Sequence, residues 1–360
     1  MITSITGINW GDEGKGRMVD LLSRDYDIVV RYQGGNNAGH TVVNEKGKFI
    51  LNLLPSGILR DDTVNVLGPG MVIDVEHLFG EVKKLRDAGI TITPDNLKIS
   101  DRAVICMPYH KMLDCLEEDR LGDAKFGSTR RGIAPVYADR FMKKVFRMGE
   151  LLHMDSVKRK MPGIIEWKNL TVHGGYGAPE LKSEDMIAWL EEFGLPFTDY
   201  ICNTTEYLGA AVKAGKNIMF EAQLGALRDA GGEYGAATGR PRRVGGFDIP
   251  ASKYGILMQG ATEIALTKLD VLSYLDKIPV CVKYDIDGEL TDVFPVGDAL
   301  NAAKPVYEYL DGWKTDISGC RSFDELPENA QKYVKYIERM TECNIKYVSV
   351  GAGRDEYFIM

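Results

Sequence analysis

ITSITGINWGDEGKGRMVDLLS, residues 2–23, runs as a strand, a glycine-rich loop and a helix in that order. Ile2 to Ile8 is short, apolar and β-branched, which predicts a buried strand. Lys15 to Ser23 carries Met18, Leu21 and Leu22 at helical spacing. Between them stand Gly11, Gly14 and Gly16. A helix N-terminus behind such a loop offers backbone N–H groups and a positive dipole end, which suits phosphate, and Lys15 adds a point charge. The spacing departs from G-x-x-x-x-G-K-[ST]: Asn9 stands at the first glycine, and neither Gly16 nor Arg17 brings the usual hydroxyl. The same residues also fit a plain glycine-rich turn. The loop's Asp12 and Glu13 favour phosphate chemistry, because a carboxylate beside phosphates serves as a Mg²⁺ ligand or a base. Both also fit solvated turn positions, Glu13 more so than Asp12.

Working outward, Asp27 to Tyr32 predicts a second strand that ends in Gln33-Gly34-Gly35-Asn36-Asn37-Ala38-Gly39-His40-Thr41. A loop so rich in Gly and Asn approaches a ligand closely. His40, at the edge of a strand taken to neighbour the phosphate loop, suits a proton donor. Thr41–Asn44 and Phe49–Leu54 predict a hairpin. Further strands are expected at Val64–Leu67, Ile218–Phe220, Glu263–Leu266, Val280–Tyr284 and Lys346–Val350. Helices are expected at Asp74–Ala88, Ser183–Phe193, Thr205–Ala214, Ala251–Met258 and Phe323–Thr341. This alternation predicts an α/β fold, a large mostly parallel central sheet flanked by helices, in one domain over residues 1–360. The 360 residues carry a net charge of −8, which argues against coating nucleic acid or an anionic membrane. No apolar run suggests a membrane span, and the N-terminus lacks signal-peptide features, so a cytoplasmic protein is expected. The six cysteines show no Cys-x-x-Cys spacing and read as free thiols.

Trp10–Gly16 together with Arg31–Thr41 closely resembles the adenylosuccinate synthetase family. So do Leu54–Leu59, Gly127–Pro135, Thr238–Arg243 and Thr267–Leu272. The resemblance implies that fold, with a P-loop-like phosphate site, and a reaction in which IMP, L-aspartate and GTP give adenylosuccinate, GDP and phosphate with Mg²⁺. It implies catalytic roles for Asp12 as base at IMP N1, His40 as acid and Gln33 as holder of the transferred group. GTP would be held by Gly11, Glu13, Gly14, Lys15, Gly16, Arg17 and Thr41. Arg242, Lys268, Asp270, Gly351 and Gly353 would complete its site, with Asp270 accepting from guanine N1–H and N2–H₂. IMP would lie against Asp12, Asn37, Ala38, Thr129, Lys143, Gln223 and Arg240. L-aspartate would meet Thr238, Arg240 and Arg242, since guanidinium forks match carboxylates. Mg²⁺ would take Asp12 and the Gly39 carbonyl. A homodimer is implied as well.

The chain departs from the family pattern after Asp229. Ala230-Gly231-Gly232-Glu233 resembles sequence that lies well beyond this point in relatives, so a segment containing a core strand is expected to be missing at the 229/230 junction. Lys143 replaces an arginine that reaches the partner subunit's IMP, and Gln223 is offset by one. The alternative reading is a GTP-binding protein of the same fold with impaired catalysis.

Overall fold

The computed structural model describes residues 1–8, 15–37, 39–44, 47–225, 246–295, 298–353 and 355–360. The first half runs β1 (Ile2–Gly7), α1 (Lys15–Leu22), β2 (Ile28–Gly34), β3 (His40–Asn44), β4 (Gly47–Leu51), β5 (Val64–Ile73), α2 (Val75–Asp87), β6 (Leu97–Ser100), β7 (Val104–Ile105), α3 (Pro108–Leu121), α4 (Ile133–Phe141) and α5 (Met154–Val172). The second half runs α6 (Ser183–Phe193), β8 (Ile201–Cys202), α7 (Thr204–Lys213), β9 (Ile218–Gly225), β10 (Phe247–Asp248), α8 (Ile249–Gln259), β11 (Glu263–Leu266), β12 (Lys277–Ile286), β13 (Glu289–Thr291), α9 (Asp298–Ala302), β14 (Lys304–Asp311), α10 (Glu328–Thr341), β15 (Asn344–Ser349) and β16 (Tyr357–Ile359).

The central sheet has the order β1-β9-β2-β5-β6-β8, with β7 beside the end of β5. Every pairing in it is parallel. Side chains alternate between its faces. Val29 and Met219 join Val19 of α1 in one cluster, while Ile28, Val30 and Ile218 join Ala211 of α7 in another. Helices on both faces are what a parallel sheet requires. β5 extends past the expected Leu67 through Gly68-Pro69-Gly70. These glycines admit the neighbouring backbone: a Cβ at Gly70 would stand 2.2 Å from the Tyr32 carbonyl oxygen. Two smaller sheets follow, one of β10, β12, β13 and β14, the other of β11, β15 and β16. The buried face of α10 (Ala330, Tyr333, Val334, Ile337) seals the core shared by these sheets.

Three expectations are corrected. First, β9 lies between β1 and β2, so the two loops that β1 and β2 carry are not on adjacent strands. Second, β1 is not buried: it pairs only with β9 among the described residues, and Ile2 is 59% exposed. Third, the helix expected from Phe323 starts at Glu328, after a short 3-10 turn at Phe323–Glu325. Pro327 disfavours helical geometry in the residue before it.

A buried ionic cluster ties α3, α4 and α5 together. The Met107 N–H donates to His110 Nδ1 at 3.0 Å, so Nε2 carries the ring proton and donates to Asp139 at 2.8 Å. Lys168 of α5 bonds the same Asp139 carboxylate. A second proton on His110 would have to sit on Nδ1, against the Met107 N–H. Burial holds His110 below the ordinary histidine range, and bonds from His110 and Lys168 hold Asp139 below the ordinary carboxylate range, against its own burial. The unfolded chain therefore takes up protons that the folded chain refuses, and both groups lose stability as pH falls. Tm is expected to drop from about pH 7.5 to about pH 5.5, and His110→Gln is expected to flatten that drop. An unchanged slope in His110→Gln would show that this cluster does not set it.

Candidate active site

The C-terminal ends of β1, β9 and β2 point the same way, because the three strands are parallel neighbours. Ligands in open parallel sheets bind at such strand ends. Below them lies a buried ionic floor. Arg31 of β2 is fully buried, stands opposite Glu221 of β9 in register, and feels the charges of both Glu221 and Glu81. Its Nη2 donates to the Gly35 carbonyl at 3.4 Å. Glu81 of α2 accepts from the N–H groups of Asn52 (2.8 Å), Leu53 (2.9 Å) and Leu54 (3.3 Å). Burial raises the Glu81 pKa and these bonds oppose it. Glu221 accepts from the Ser56 N–H at 3.0 Å, and the Ser56 hydroxyl lies 3.4 Å from the Gly16 carbonyl. The floor thus connects α2, β2, β9 and the first turn of α1.

The loop after β2 is set by close approach. Gly34 has φ +78°. A Cβ on Gly35 would stand 2.6 Å from Ile133 Cδ1 and 2.8 Å from the Val72 carbonyl oxygen. The Gly34 N–H donates to the Tyr137 hydroxyl at 3.4 Å. Asn36 donates to Asp74 at 3.0 Å, and Lys111 bonds that carboxylate at 3.1 Å. Ile133 and Tyr137 belong to α4, so the loop that precedes α4, with Thr129, is brought to the Gly34–Asn37 loop. Gln33 ends β2 half-buried, and Asn37 is likewise half-buried.

Thr129 itself is exposed on a loop held from one side of α3. Asp114 accepts from the Ser128 hydroxyl (2.6 Å) and the Gly132 N–H (2.8 Å). Glu118 accepts from the N–H groups of Phe126 (3.2 Å) and Gly127 (3.0 Å). His110, Asp114 and Glu118 are four residues apart, hence on one helix face, and all are buried. Sequence reasoning missed this row, although its i, i+4 spacing of polar groups was the available signal. Lys143 lies exposed just past the end of α4 at φ +60°.

A second group of turns forms where β11 and β15 end side by side. The Leu269 N–H donates to the Ser349 carbonyl at 3.1 Å, joining Lys268–Asp270 to the Gly351–Gly353 turn. Gly351 and Gly353 wrap Glu356, which accepts from the Gly353 N–H. A Cβ on Gly351 would stand 2.3 Å from that carboxylate. Lys15, at the start of α1, and Lys268 line one cavity of about 810 Å³.

The adenylosuccinate synthetase family model matches residues 4–230 and 224–358. The chain belongs to the adenylosuccinate synthetase family. It is 40% identical to adenylosuccinate synthetase 2 of Pseudoalteromonas translucida, over 99% of both chains, and 38% identical to the adenylosuccinate synthetase of Halothermothrix orenii, over 98% of this chain and 97% of that one. The structure of fully ligated adenylosuccinate synthetase from Plasmodium falciparum superposes with a TM-score of 0.90, at 30% identity and over 99% of each chain. The chain is accordingly a carbon–nitrogen ligase of purine biosynthesis, joining L-aspartate to IMP with GTP as the energy source.

Of the family's motif residues, Gly16 is tied through Ser56 to Glu221 of β9, Gln33 ends β2 with Asn37 in the loop after it, Gly39 lies against Asn52, and Thr129 is on the loop before α4, while Lys268, Asp270, Gly351 and Gly353 share the other group of turns. Gly11, Asp12, Glu13, Gly14, Ala38, Thr238, Arg240, Arg242 and the 229/230 junction lie outside the described residues. So do the side chains of Arg17, His40, Thr41 and Gln223, whose backbones belong to α1, β3 and β9.

Two substitutions probe this architecture. Arg31→Leu leaves Glu221 and Glu81 buried without their cation, and a loss of about 3–5 kcal/mol in denaturant unfolding is expected. Asp114→Ala removes two bonds from the Thr129 loop, and faster proteolysis within residues 126–132 is expected. Stability unchanged in Arg31→Leu, or an unaltered cleavage rate in Asp114→Ala, would contradict these assignments.

Proposed function

We propose that the chain makes adenylosuccinate in two steps, through 6-phosphoryl-IMP, with the residues its motifs supply. The 6-oxygen of IMP is a poor leaving group. In the first step Asp12 takes the N1 proton, O6 attacks the γ-phosphorus of GTP, and GDP departs. His40 acts as the acid that stabilises the group in transfer, and Gln33 holds that group. Lys15 and the amides of Gly14 and Gly16 cradle the phosphates, beside Gly11, Glu13, Arg17 and Thr41. In the second step the amine of L-aspartate attacks C6, the C6–O6 bond breaks, and inorganic phosphate leaves with its electrons.

Thr129, Asn37, Ala38, Gln223 and Arg240 hold IMP, and Thr238, Arg240 and Arg242 hold L-aspartate. Asp270 accepts from guanine N1–H and N2–H₂, which adenine cannot satisfy, while Lys268 packs along the base and Gly351 and Gly353 border it. The observation that carries this reading is the packing of Gly35 against Ile133 of α4, which brings the loop after β2 to the helix that follows Thr129, in the same parallel sheet as β1 and β9.

Mg²⁺ suits the donors available. The Gly39 carbonyl, the Asp12 carboxylate and phosphate oxygens form an all-oxygen set with few protein ligands. Gly39 sits where a Cβ would meet Asn52 Nδ2 at 2.6 Å, so its backbone, not a side chain, faces this crowded corner. When bound, the ion neutralises charge on the β- and γ-phosphates.

A homodimer fits the exposed Phe141 and Met142 next to Lys143, an apolar patch beside a cation that would meet a partner's phosphate. A cytoplasmic location fits the absence, among the described residues, of any helix long and apolar enough to cross a membrane. A single domain over residues 1–360, shortened at the 229/230 junction, is supported by two observations. The two family-model matches meet at 224–230. The Pseudoalteromonas translucida alignment spans 418 positions against 360 residues here, so at least 58 positions have no counterpart in this chain.

The test is a coupled assay that varies IMP, L-aspartate and GTP. Phosphate release is expected only with all three present, and Asp12→Ala is expected to lower kcat by about 10²–10⁴. Synthesis retained in Asp12→Ala would remove the proposed base. GTP binding without any IMP- and aspartate-dependent phosphate release would overturn the ligase chemistry.

A further inference from the structure

Gly39 is a glycine for want of room, and one side chain takes that room. A Cβ there would stand 2.6 Å from Asn52 Nδ2, closer than real Cβ atoms come, and 3.5 Å from Ile50 Cγ2, an ordinary contact. The β3–β4 ladder sets this meeting. His40 pairs with Leu51, so Gly39 and Asn52 are the next residues out on either strand. Asn52 therefore borders the residue offered above as a Mg²⁺ ligand, one position from the partner of His40.

A loose carboxamide would swing aside from such a contact. This one is held at its oxygen and at its backbone. Asn52 Oδ1 lies 3.2 Å from Nε2 of His77 on α2. A carbonyl oxygen only accepts, so Nε2 carries the ring proton and donates. The Glu81 carboxylate, 3.9 Å from the same nitrogen, favours that tautomer. The Asn52 N–H donates to Glu81 at 2.8 Å. His77 is fixed in turn by its own N–H, which donates at 3.2 Å to Asp74, the N-cap of α2. The other oxygen of that carboxylate accepts from Asn36. Asp74, His77 and Glu81 follow one face of the helix. That face reaches the Gly34–Asn37 loop through Asp74 and the Gly39 corner through His77. Neither Asn52 nor His77 falls within the motifs of the substrate site.

We propose that Asn52, braced by His77, is a positioning residue for the Gly39–His40 corner. Its carboxamide blocks one side of Gly39 and so limits the directions in which the Gly39 carbonyl can point. It acts through that carbonyl, not on a reacting atom. The proposal rests on the reading of Gly39 as a metal ligand. Groups that orient a metal's ligands matter nearly as much as the ligands, and losing one costs about 10–100-fold in metal affinity.

Mn²⁺, which takes the same oxygen ligands as Mg²⁺, can be titrated by EPR with GDP present and no turnover. Asn52→Ala and His77→Leu are expected to weaken Mn²⁺ binding by about 10–100-fold. His77→Gln, whose amide N–H replaces Nε2–H, is expected to bind it as the unsubstituted protein does. In the coupled assay Asn52→Ala is expected to raise KM for Mg²⁺ and leave KM for IMP unchanged. Mn²⁺ held as tightly by Asn52→Ala as by the unsubstituted protein overturns the proposal. His77→Gln no better than His77→Leu overturns the part given to His77. Thermal melting tests the brace without metal. Gly39→Ala is expected to lower Tm, and adding His77→Leu, which frees the carboxamide to swing away, is expected to return part of that loss. Should His77→Leu not fold, Asn52→Ala completes the same cycle. Losses that simply add overturn the brace. If GDP does not help the unsubstituted protein to bind Mn²⁺, the metal reading of Gly39 fails instead, and the melting cycle alone decides whether Asn52 is held against Gly39.

Discussion

The buried charge of Arg31 is the constraint from which the rest of the site hangs. A guanidinium with no exposure to water is stable only with anions near it, and Glu221 and Glu81 supply them from a neighbouring strand and a flanking helix. Each carboxylate is in turn occupied by backbone N–H groups. Glu81 takes those of Asn52, Leu53 and Leu54, and Glu221 takes that of Ser56. One buried cation thereby fixes the chain leaving the β3–β4 hairpin, the first turn of α1 through Ser56, and the pairing of β2 with β9. These are the elements that carry the phosphate loop and the Gly34–Asn37 loop.

A second polar array does comparable work for the Thr129 loop. Asp114 and Glu118 spend their lone pairs on the hydroxyl and amides of residues 126–132, while His110 on the same face reaches Asp139 and through it Lys168. Buried polar groups of this kind are costly unless every member is paired. The loop is therefore shaped before any ligand arrives, and its geometry depends on the body of α3. In both arrays charge is buried to position backbone.

Strand order governs what can meet above those arrays. With β9 between β1 and β2, the loops that those two strands carry are separated by one strand, and β9 ends at Gly225 level with Gly7 of β1.

The sequence by itself determined the local pieces. Glycine spacing and a following amphipathic run are enough for the strand at Ile2–Gly7 and the helix at Lys15–Leu22, and the hairpin and the helix at Ser183–Phe193 were legible for the same local reason. The motifs also sufficed for the family and its reaction. Three things were decided only by the tertiary structure. α3 could not be read from apolar periodicity, because the face it buries at His110, Asp114 and Glu118 is polar. The Gly68-Pro69-Gly70 interruption looked like the end of a strand, because the backbone of Tyr32 that needs those glycines comes from a distant segment. Ile2–Gly7 looked interior, because composition records which neighbours a strand suits, whereas burial depends on which neighbours are there.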